Sequence, residues 1–192
     1  MPTEEIGIEP THEAPGAERR PLIERPAEET PDKLVIFAWS GDLDRVWPQL
    51  ILATTGAAMG METTVFFTFW GLFPLLKNDK AEGRMRRLTG ENWMQKMLSM
   101  MNHGGTEHMK LSKMNFAGMG PWMMGSLADS HKVASPHELM DMAREMGVHL
   151  VPCQMTMDLM GLAREDLIDG LEEPAGATTA LLEAKDAITL FI

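Results

Sequence analysis

The feature that most constrains the fold is a pair of short apolar segments that flank a helical pattern. The first segment, 33–39, is β-branched, aromatic and almost continuously apolar, which is typical of a strand buried on both faces. A Ser-Gly-Asp turn follows at 40–42, and residues 43–59 predict a helix that ends at Gly60. A second strand is predicted at 63–69. This β-α-β order indicates parallel strands joined by a right-handed crossover.

Helices and strands continue to alternate along the rest of the chain. The clearest helix start has Ser135 as the N-cap, with Pro136 and Glu138 in the first turn. Further helices are predicted at 92–101, 135–146, 155–162 and 178–185, a turn at 165–169, and strands at 148–153 and 188–192. Residues 102–121 predict a mobile loop. The sequence therefore predicts an α/β fold, with a doubly wound, mostly parallel sheet of about four or five strands and helices on both faces.

Charged residues are unevenly distributed, and their distribution divides the chain. Residues 1–32 hold nine acids against three arginines and six of the twelve prolines, which predicts a disordered acidic tail. Residues 33–192 are expected to form one α/β domain with a Met- and Gly-rich insertion at about 77–125. Within 77–113, eight Lys and Arg residues face four acids. This stretch is either a solvated insertion or a docking patch for an acidic partner or an anionic headgroup.

The composition excludes several classes of protein. A net charge of −11 gives no general phosphate-binding surface, so nucleic acid is not an expected partner. The single cysteine excludes an intrachain disulfide and a cysteine-based zinc or iron–sulfur site within one chain. No phosphate-binding glycine motif is present, and no cofactor is expected. Because Pro2 and acidic residues follow Met1, we expect no secretory signal and a cytoplasmic location.

A long weakly charged stretch raises the question of a membrane span. The 31 residues between Arg45 and Lys77 carry Glu62 as their only charge, and a span needs about 20 apolar residues. Gly56 and Gly60 interrupt the stretch where a helix should give way to a strand. We therefore expect it to fold within a soluble domain.

Two segments that follow predicted strands are the candidate sites, because doubly wound sheets bind ligands at the carboxyl ends of their strands. Ser40, Gly41 and Asp42 follow the first strand, and Cys153 lies between the third strand and a helix. Unpaired N–H groups and the partial positive charge at a helix start favour a thiolate. Such a thiolate can attack sulfane sulfur and carry it as a persulfide. The alternative is a buried structural cysteine.

Neighbouring polar residues complete the candidate site around Cys153. Gln154 and Asp158 are supporting candidates, and Asp158 either tunes the thiol or faces solvent. The lack of a second cysteine argues against a thioredoxin-type mechanism. His149 precedes Cys153 by four residues, about 13 Å along a strand, which is too far for a hydrogen bond. We expect His149 to pack in the core.

Methionine is unusually frequent, with 19 residues in 192. Thioether and imidazole groups bind Cu(I), so a soft-metal site is one interpretation. The residues concerned are Met94, Met97, Met100, Met101, His103, His108, Met109, Met114, Met119, Met123 and Met124. Because no fixed ligand spacing is present, we expect no metal and favour an adaptable core or a repackable partner-binding surface.

Five segments together resemble the DsrE/DsrF/DsrH-like family, in its larger, methionine-rich branch. They are FAWSGDLDR at 37–45, AAMGME at 57–62, FFTFWG at 66–71, LSKMN at 111–115 and CQMTMDLMG at 153–161. The likeness covers roughly residues 33–192. It implies a doubly wound α/β fold, homo-oligomers and sulfur transfer through a cysteine, with TusA-like sulfur carriers and rhodanese-like proteins as partners.

Carried over to this chain, the resemblance places the persulfide-forming position at Cys153 and the first loop at Gly41 and Asp42. We therefore expect a sulfur-carrier protein or sulfurtransferase, which accepts sulfane sulfur on Cys153 and passes it to a partner thiol. The alternative is a non-catalytic binding module that uses residues 92–124. Such a module would bind Cu(I), a membrane surface or a protein partner.

Overall fold

The computed structural model describes residues 32–77, 93–94, 105–106 and 109–192. Within these residues, four parallel strands form one sheet in the order β3-β2-β1-β4. The strands are β1 (Lys33–Ala38), β2 (Glu62–Phe67), β3 (His149–Pro152) and β4 (Ile188–Phe191). The predicted parallel sheet is confirmed, at the lower end of the expected strand number. The acidic tail at 1–31 lies outside the described residues.

Five α-helices accompany the sheet in the described part of the chain. They are α1 (Leu43–Ala58), α2 (Met119–Ser130), α3 (Pro136–Glu145), α4 (Gln154–Met160) and α5 (Ala177–Glu183). Short 3-10 helices occupy Phe69–Leu75, Phe116–Gly118 and Arg164–Asp166. Of the helix predicted at 92–101, only Trp93 and Met94 are described, and both are helical.

The strand order shows how the chain winds around the sheet. The connections from β1 to β2 and from β2 to β3 run in one direction, so right-handed crossovers place α1 and α3 on the same face. The Trp47 Nε1–H of α1 donates to the carbonyl of Ala134, two residues before α3 begins, at 2.9 Å. The connection from β3 to β4 runs back past β1, which places α4 and α5 on the opposite face. The doubly wound arrangement is therefore confirmed.

The main core lies between α1 and the sheet. Val46, Leu50 and Ala53 of α1 are fully buried, and so are Ile36 of β1 and Val65 of β2. The buried residues of α1 recur at helical spacing, whereas consecutive residues of β1 and β2 are buried, as expected for strands covered on both faces.

The second strand ends earlier than predicted. The pattern predicted a strand to residue 69, but β2 ends at Phe67, and Phe69 has a φ of 51°. The Gly71 N–H donates to the Trp39 carbonyl at 3.1 Å, so the chain folds back over the end of β1. A Cβ at Gly71 would lie 2.1 Å from the Ala38 carbonyl oxygen, which only glycine avoids.

The prediction of a loop at 102–121 is wrong for its last residues, which are helical. The described part contains the 3-10 helix Phe116–Gly118 and the first turn of α2. The start of α3, in contrast, is confirmed, because Ser135 and Glu138 form the predicted capping box. None of the described helices combines the length and the apolar composition that a membrane span requires.

Candidate functional site

The carboxyl ends of three adjacent strands form one row. Ala38, Phe67 and Pro152 are in register across β1, β2 and β3. The next residue of each chain segment is Trp39, Thr68 and Cys153, respectively. Since neighbouring strands lie about 4.8 Å apart, the Cys153 main chain is about 10 Å from that of Trp39.

The main chain of Cys153 is fixed from both sides. Its N–H donates to the Phe67 carbonyl of β2 at 2.9 Å. On the other side it forms a parallel bridge with Ala175, whose carbonyl accepts the Gln154 N–H at 3.0 Å. The Cys153 carbonyl in turn accepts the Met157 N–H at 3.0 Å. The thiol therefore lies on a strand-to-helix turn whose main chain is hydrogen-bonded on both sides.

The surroundings of the thiol differ in part from the sequence prediction. Helix α4 follows Cys153 directly, as predicted, but it has only seven residues. The N–H groups of Cys153 and Gln154 already donate to the carbonyls of Phe67 and Ala175. The helix start therefore offers the sulfur fewer donors than expected. The cysteine is 3% exposed, which fits a structural cysteine and also fits a persulfide site shielded from water.

A threonine pair beside this turn, in which Thr156 is buried and Thr68 is half-buried, was missed by the sequence analysis. Thr156 is fully buried, and its Oγ1 lies 3.1 Å from Thr68 Oγ1 and accepts the Phe69 N–H at 3.2 Å. The pair joins the first turn of α4 to the end of β2. A threonine at the third position after Cys153 was the available signal, but its partner lies on another strand and could not be identified from spacing.

The first candidate loop is closely packed at the same edge of the sheet. Ser40 is buried, and its Oγ donates to Asp42 Oδ2 at 3.2 Å and accepts the Asp42 N–H at 3.3 Å. A Cβ at Gly41 would lie 2.6 Å from the Trp70 carbonyl oxygen. The loop therefore packs on the segment after β2, and that segment separates it from the Cys153 turn.

The chain reverses its winding direction at only one of the two candidate segments. The strand order places the reversal between β1 and β4, next to the 40–42 loop, whereas Cys153 follows the edge strand β3. At the reversal, the rings of Trp39 and Phe191 stack at 6.3 Å, and the Arg45 guanidinium lies 5.2 Å from the Trp39 ring centroid. Both segments therefore follow the carboxyl ends of strands, but only the 40–42 loop lies at the reversal.

The other supporting candidates lie on the surface. Gln154 and Asp158 are exposed, and Gln154 Nε2 donates to Asp158 Oδ1 at 2.7 Å along one turn of α4. The core position expected for His149 is wrong, because this residue is exposed and its Nδ1 lies 2.7 Å from Glu172 Oε1. His149 begins an edge strand, where a side chain can reach water.

The methionine-rich segment is also more exposed than a core interpretation predicts. Met109 is buried, but Met114, Met119, Met123 and Met124 are exposed. Among the described residues, no group of three or more His, Cys, Asp or Glu side chains is arranged to hold a metal ion. The exposure of these methionines argues against the adaptable core and fits the repackable partner-binding surface.

These features define a class of protein: a small, doubly wound α/β domain whose single cysteine is fixed at the carboxyl edge of a parallel sheet. The sequence model of the DsrE/DsrF/DrsH-like family matches residues 30–191. The chain belongs to this family, which confirms the resemblance found in the sequence.

Two curated relatives align along nearly their whole length. The uncharacterized protein YrkE of Bacillus subtilis is 38% identical over 161 residues, which cover 83% of this chain and 96% of YrkE. The sulfur carrier protein DsrE2 of Allochromatium vinosum is 36% identical over 160 residues, which cover 83% of this chain and 98% of DsrE2. The crystal structure of the ychN protein from E. coli superimposes with a TM-score of 0.49 at 13% identity, over 83% of this chain and 98% of that chain.

Proposed function

We propose that this chain is a sulfur carrier or sulfurtransferase of a cytoplasmic sulfur relay, with Cys153 as the residue that carries the sulfur. One observation carries the proposal: main-chain hydrogen bonds hold the single cysteine at the carboxyl end of the sheet in a chain of this family. Membership of the family and the likeness to a relative named as a sulfur carrier support a role in sulfur relay.

The proposed chemistry is an exchange at sulfur without net oxidation or reduction. The Cys153 thiolate attacks the outer sulfur of a donor persulfide, and a new S–S bond forms while the donor S–S bond breaks. The donor leaves as a thiolate and takes up the proton that Cys153 lost. In the second step a partner thiolate attacks the outer sulfur of the Cys153 persulfide, and Cys153 leaves with the bonding electrons.

The residues around Cys153 would contribute by position. The Thr68–Thr156 pair would fix the turn that bears the thiol, since it joins α4 to β2. Ser40, Gly41 and Asp42 would shape the neighbouring part of the edge. The Gln154–Asp158 pair is exposed beside the turn, where an approaching protein would meet it.

The proposed partners are a TusA-like sulfur carrier, a rhodanese-like protein and further copies of this chain. Exposed apolar side chains on α4, α5 and β4 support docking of other proteins on this side of the sheet, since a surface of this kind favours association. These side chains are Met155, Leu159, Leu181, Leu182 and Phe191.

Intact-protein mass spectrometry tests the proposal. The full chain and its Cys153→Ser and Cys153→Ala variants are incubated with thiosulfate, polysulfide or glutathione persulfide. We expect the wild type to gain one or more additions of about 32 Da that dithiothreitol removes, because a persulfide is reducible by thiols. Neither variant should gain them.

Two variants are needed because serine buries a hydroxyl at this site, whereas alanine adds no polar group. Circular dichroism verifies that each variant is folded. Sulfur loading that persists in a folded variant would contradict the role of Cys153. Failure of the wild type to load from any of the three donors would contradict the proposed function.

A further inference from the structure

Residues 171–175, which we call the strap, run along the outer edge of β3. Ala175 forms a parallel bridge with Cys153. Since paired strands lie about 5 Å apart, the strap is the immediate neighbour of Cys153 on the side away from β2. Three main-chain hydrogen bonds of 3.0 Å hold it there. They run from the Glu172 N–H to the Leu150 carbonyl, from the Ala175 N–H to the Pro152 carbonyl and from the Gln154 N–H to the Ala175 carbonyl.

The strap lies between two glycines, and the chain on both sides of it is fixed. Before the strap, the Ile168 N–H donates to the Leu75 carbonyl at 2.8 Å. Gly170 follows with a φ of 77°, a backbone conformation that glycine adopts without strain. After the strap, Gly176 precedes α5, and a Cβ at this position would meet no atom within 4 Å. The strap can therefore turn about both glycines while the flanking segments keep their contacts.

The contacts that hold the strap on β3 are exposed to water. Every residue of the strap is exposed or half-buried. His149 Nδ1 lies 2.7 Å from Glu172 Oε1, and these side chains are 47% and 53% exposed. On its other side Cys153 contacts β2, where Phe67 is fully buried. Because segments with few buried contacts open at lower cost than the core, the strap is the side of Cys153 that opens first.

Cys153 needs such an opening if it exchanges sulfur. The residue is 3% exposed, and exchange at sulfur requires the donor and later the acceptor to reach the thiolate directly. At this degree of burial, a neighbouring segment has to move before either of them makes contact. The strap borders Cys153, is attached by exposed contacts and lies between two glycines.

We propose that the strap is a gate that controls access to Cys153, an inference that rests on the proposed function. When the strap detaches from β3, the thiol is exposed to a sulfur donor, and its persulfide is exposed to an acceptor thiol. When the strap returns, it shields the persulfide from water and from unrelated thiols. Opening breaks only the contacts of the strap, so the rest of the sheet stays folded.

The rate at which iodoacetamide alkylates the full chain tests the gate. Cys153 is the only cysteine, so intact-protein mass spectrometry reports on this thiol alone. Alkylation of the folded wild type should be much slower than that of the urea-unfolded chain. Ala175→Pro removes the N–H that donates to Pro152 and should speed alkylation about fivefold, because one main-chain hydrogen bond no longer opposes opening.

The exposed pair at the start of β3 supplies a milder test, which remains available if Ala175→Pro does not fold. Glu172→Ala and His149→Ala should each speed alkylation about twofold, since each removes the same surface contact. The double variant should be no faster than either single variant. Effects of opposite sign would show that local charge, and not the strap, sets the rate, and would overturn the proposal.

Two control variants separate opening of the strap from other causes. Glu62→Ala removes an exposed ion pair with Lys33, at 3.2 Å, near the amino ends of β1 and β2. Val46→Ala lowers the stability of the whole domain, because Val46 is fully buried in α1. Neither control should change the rate of alkylation. An acceleration in Val46→Ala equal to that in Ala175→Pro would show that the thiol reacts through global unfolding, and would overturn the gate.

Sulfur loading from polysulfide, measured on the same proteins, distinguishes failure of the gate from failure of the proposed function. The gate predicts that Ala175→Pro speeds loading as well as alkylation. An unchanged alkylation rate in this variant, or faster alkylation with unchanged loading, would overturn the gate even where the wild type loads sulfur. Faster alkylation in the variant of a chain that never loads sulfur would support opening of the strap and overturn the proposed function.

Discussion

At the scale of single residues, Gln49 is the least expected member of the core. It lies in α1, is fully buried, and neither side-chain polar atom has a hydrogen-bond partner among the described residues. A buried polar group without a partner costs about 1–3 kcal/mol, so Gln49→Met should raise the free energy of unfolding by about that amount. Urea denaturation at neutral pH measures the change. A lower stability in this variant would show that the amide is bonded in the folded protein.

Predictability at this scale depends on how local a residue's interactions are. Ser135 and Glu138 were identified correctly as a helix start, because the capping box needs only four consecutive positions. His149 was placed incorrectly in the core. Its side chain is exposed because β3 is an edge strand, and the position of a strand in the sheet cannot be read from local sequence. The position of Cys153 at a strand end was predicted by local pattern, whereas its contacts with Phe67 and Ala175 were not.

At the scale of elements, the joint between α4 and β2 depends on Thr156. Thr156→Val keeps the shape of the side chain but removes the oxygen that contacts Thr68 and accepts the Phe69 N–H. We expect the free energy of unfolding to fall by about 1 kcal/mol, because the Phe69 N–H and the Thr68 hydroxyl lose their hydrogen-bond partner at a partly buried site.

Thr55→Val is the matched control for that change. Thr55 also lies in a helix, but its Oγ1 donates to the Ile51 carbonyl at an exposed position. Its replacement should change stability by less than about 0.5 kcal/mol. Equal effects of the two substitutions in thermal or urea denaturation would contradict a special role for the Thr68–Thr156 pair.

The elements that were missed are those fixed by distant parts of the chain. The pattern of β-branched and helical residues predicted β1, α1, β2 and their order, since each element is amphipathic or apolar over its own length. The 3-10 helix Phe69–Leu75 depends on the bond from Gly71 to the Trp39 carbonyl. Helix α2 was not predicted, because Gly120, Pro121 and Gly125 are residue types that indicate a loop.

At the scale of the whole molecule, Asp44 and Ser112 connect α1 to the loop that leads into α2. Partial burial raises the pKa of Asp44, but hydrogen bonds from Ser112 outweigh this effect and hold the pKa below its ordinary value of 3.8. A carboxyl group whose pKa is lowered by folding stabilises the folded state above its unfolded pKa. That stabilisation is lost as the pH falls through the folded value.

Asp44→Asn should therefore lower stability at pH 7, and the difference from wild type should shrink as the pH falls below about 4, near the unfolded pKa of aspartate. Urea denaturation of both proteins across this pH range measures the effect. A penalty that stays constant with pH would show that the carboxylate charge is not what connects these two parts of the molecule.

The position of β4 has a consequence for the route by which the chain folds. Leu34 in β1 pairs with Ile188 in β4, so two neighbouring strands of the sheet come from opposite ends of the domain. Parallel pairing over such a long sequence separation makes folding slow, because a large loop must close before the contact stabilises it. Until β4 arrives, one side of the apolar β1 stays open. During this interval the open edge of β1 can pair with a strand of another chain. The partly folded domain is therefore most prone to aggregation before β4 has formed.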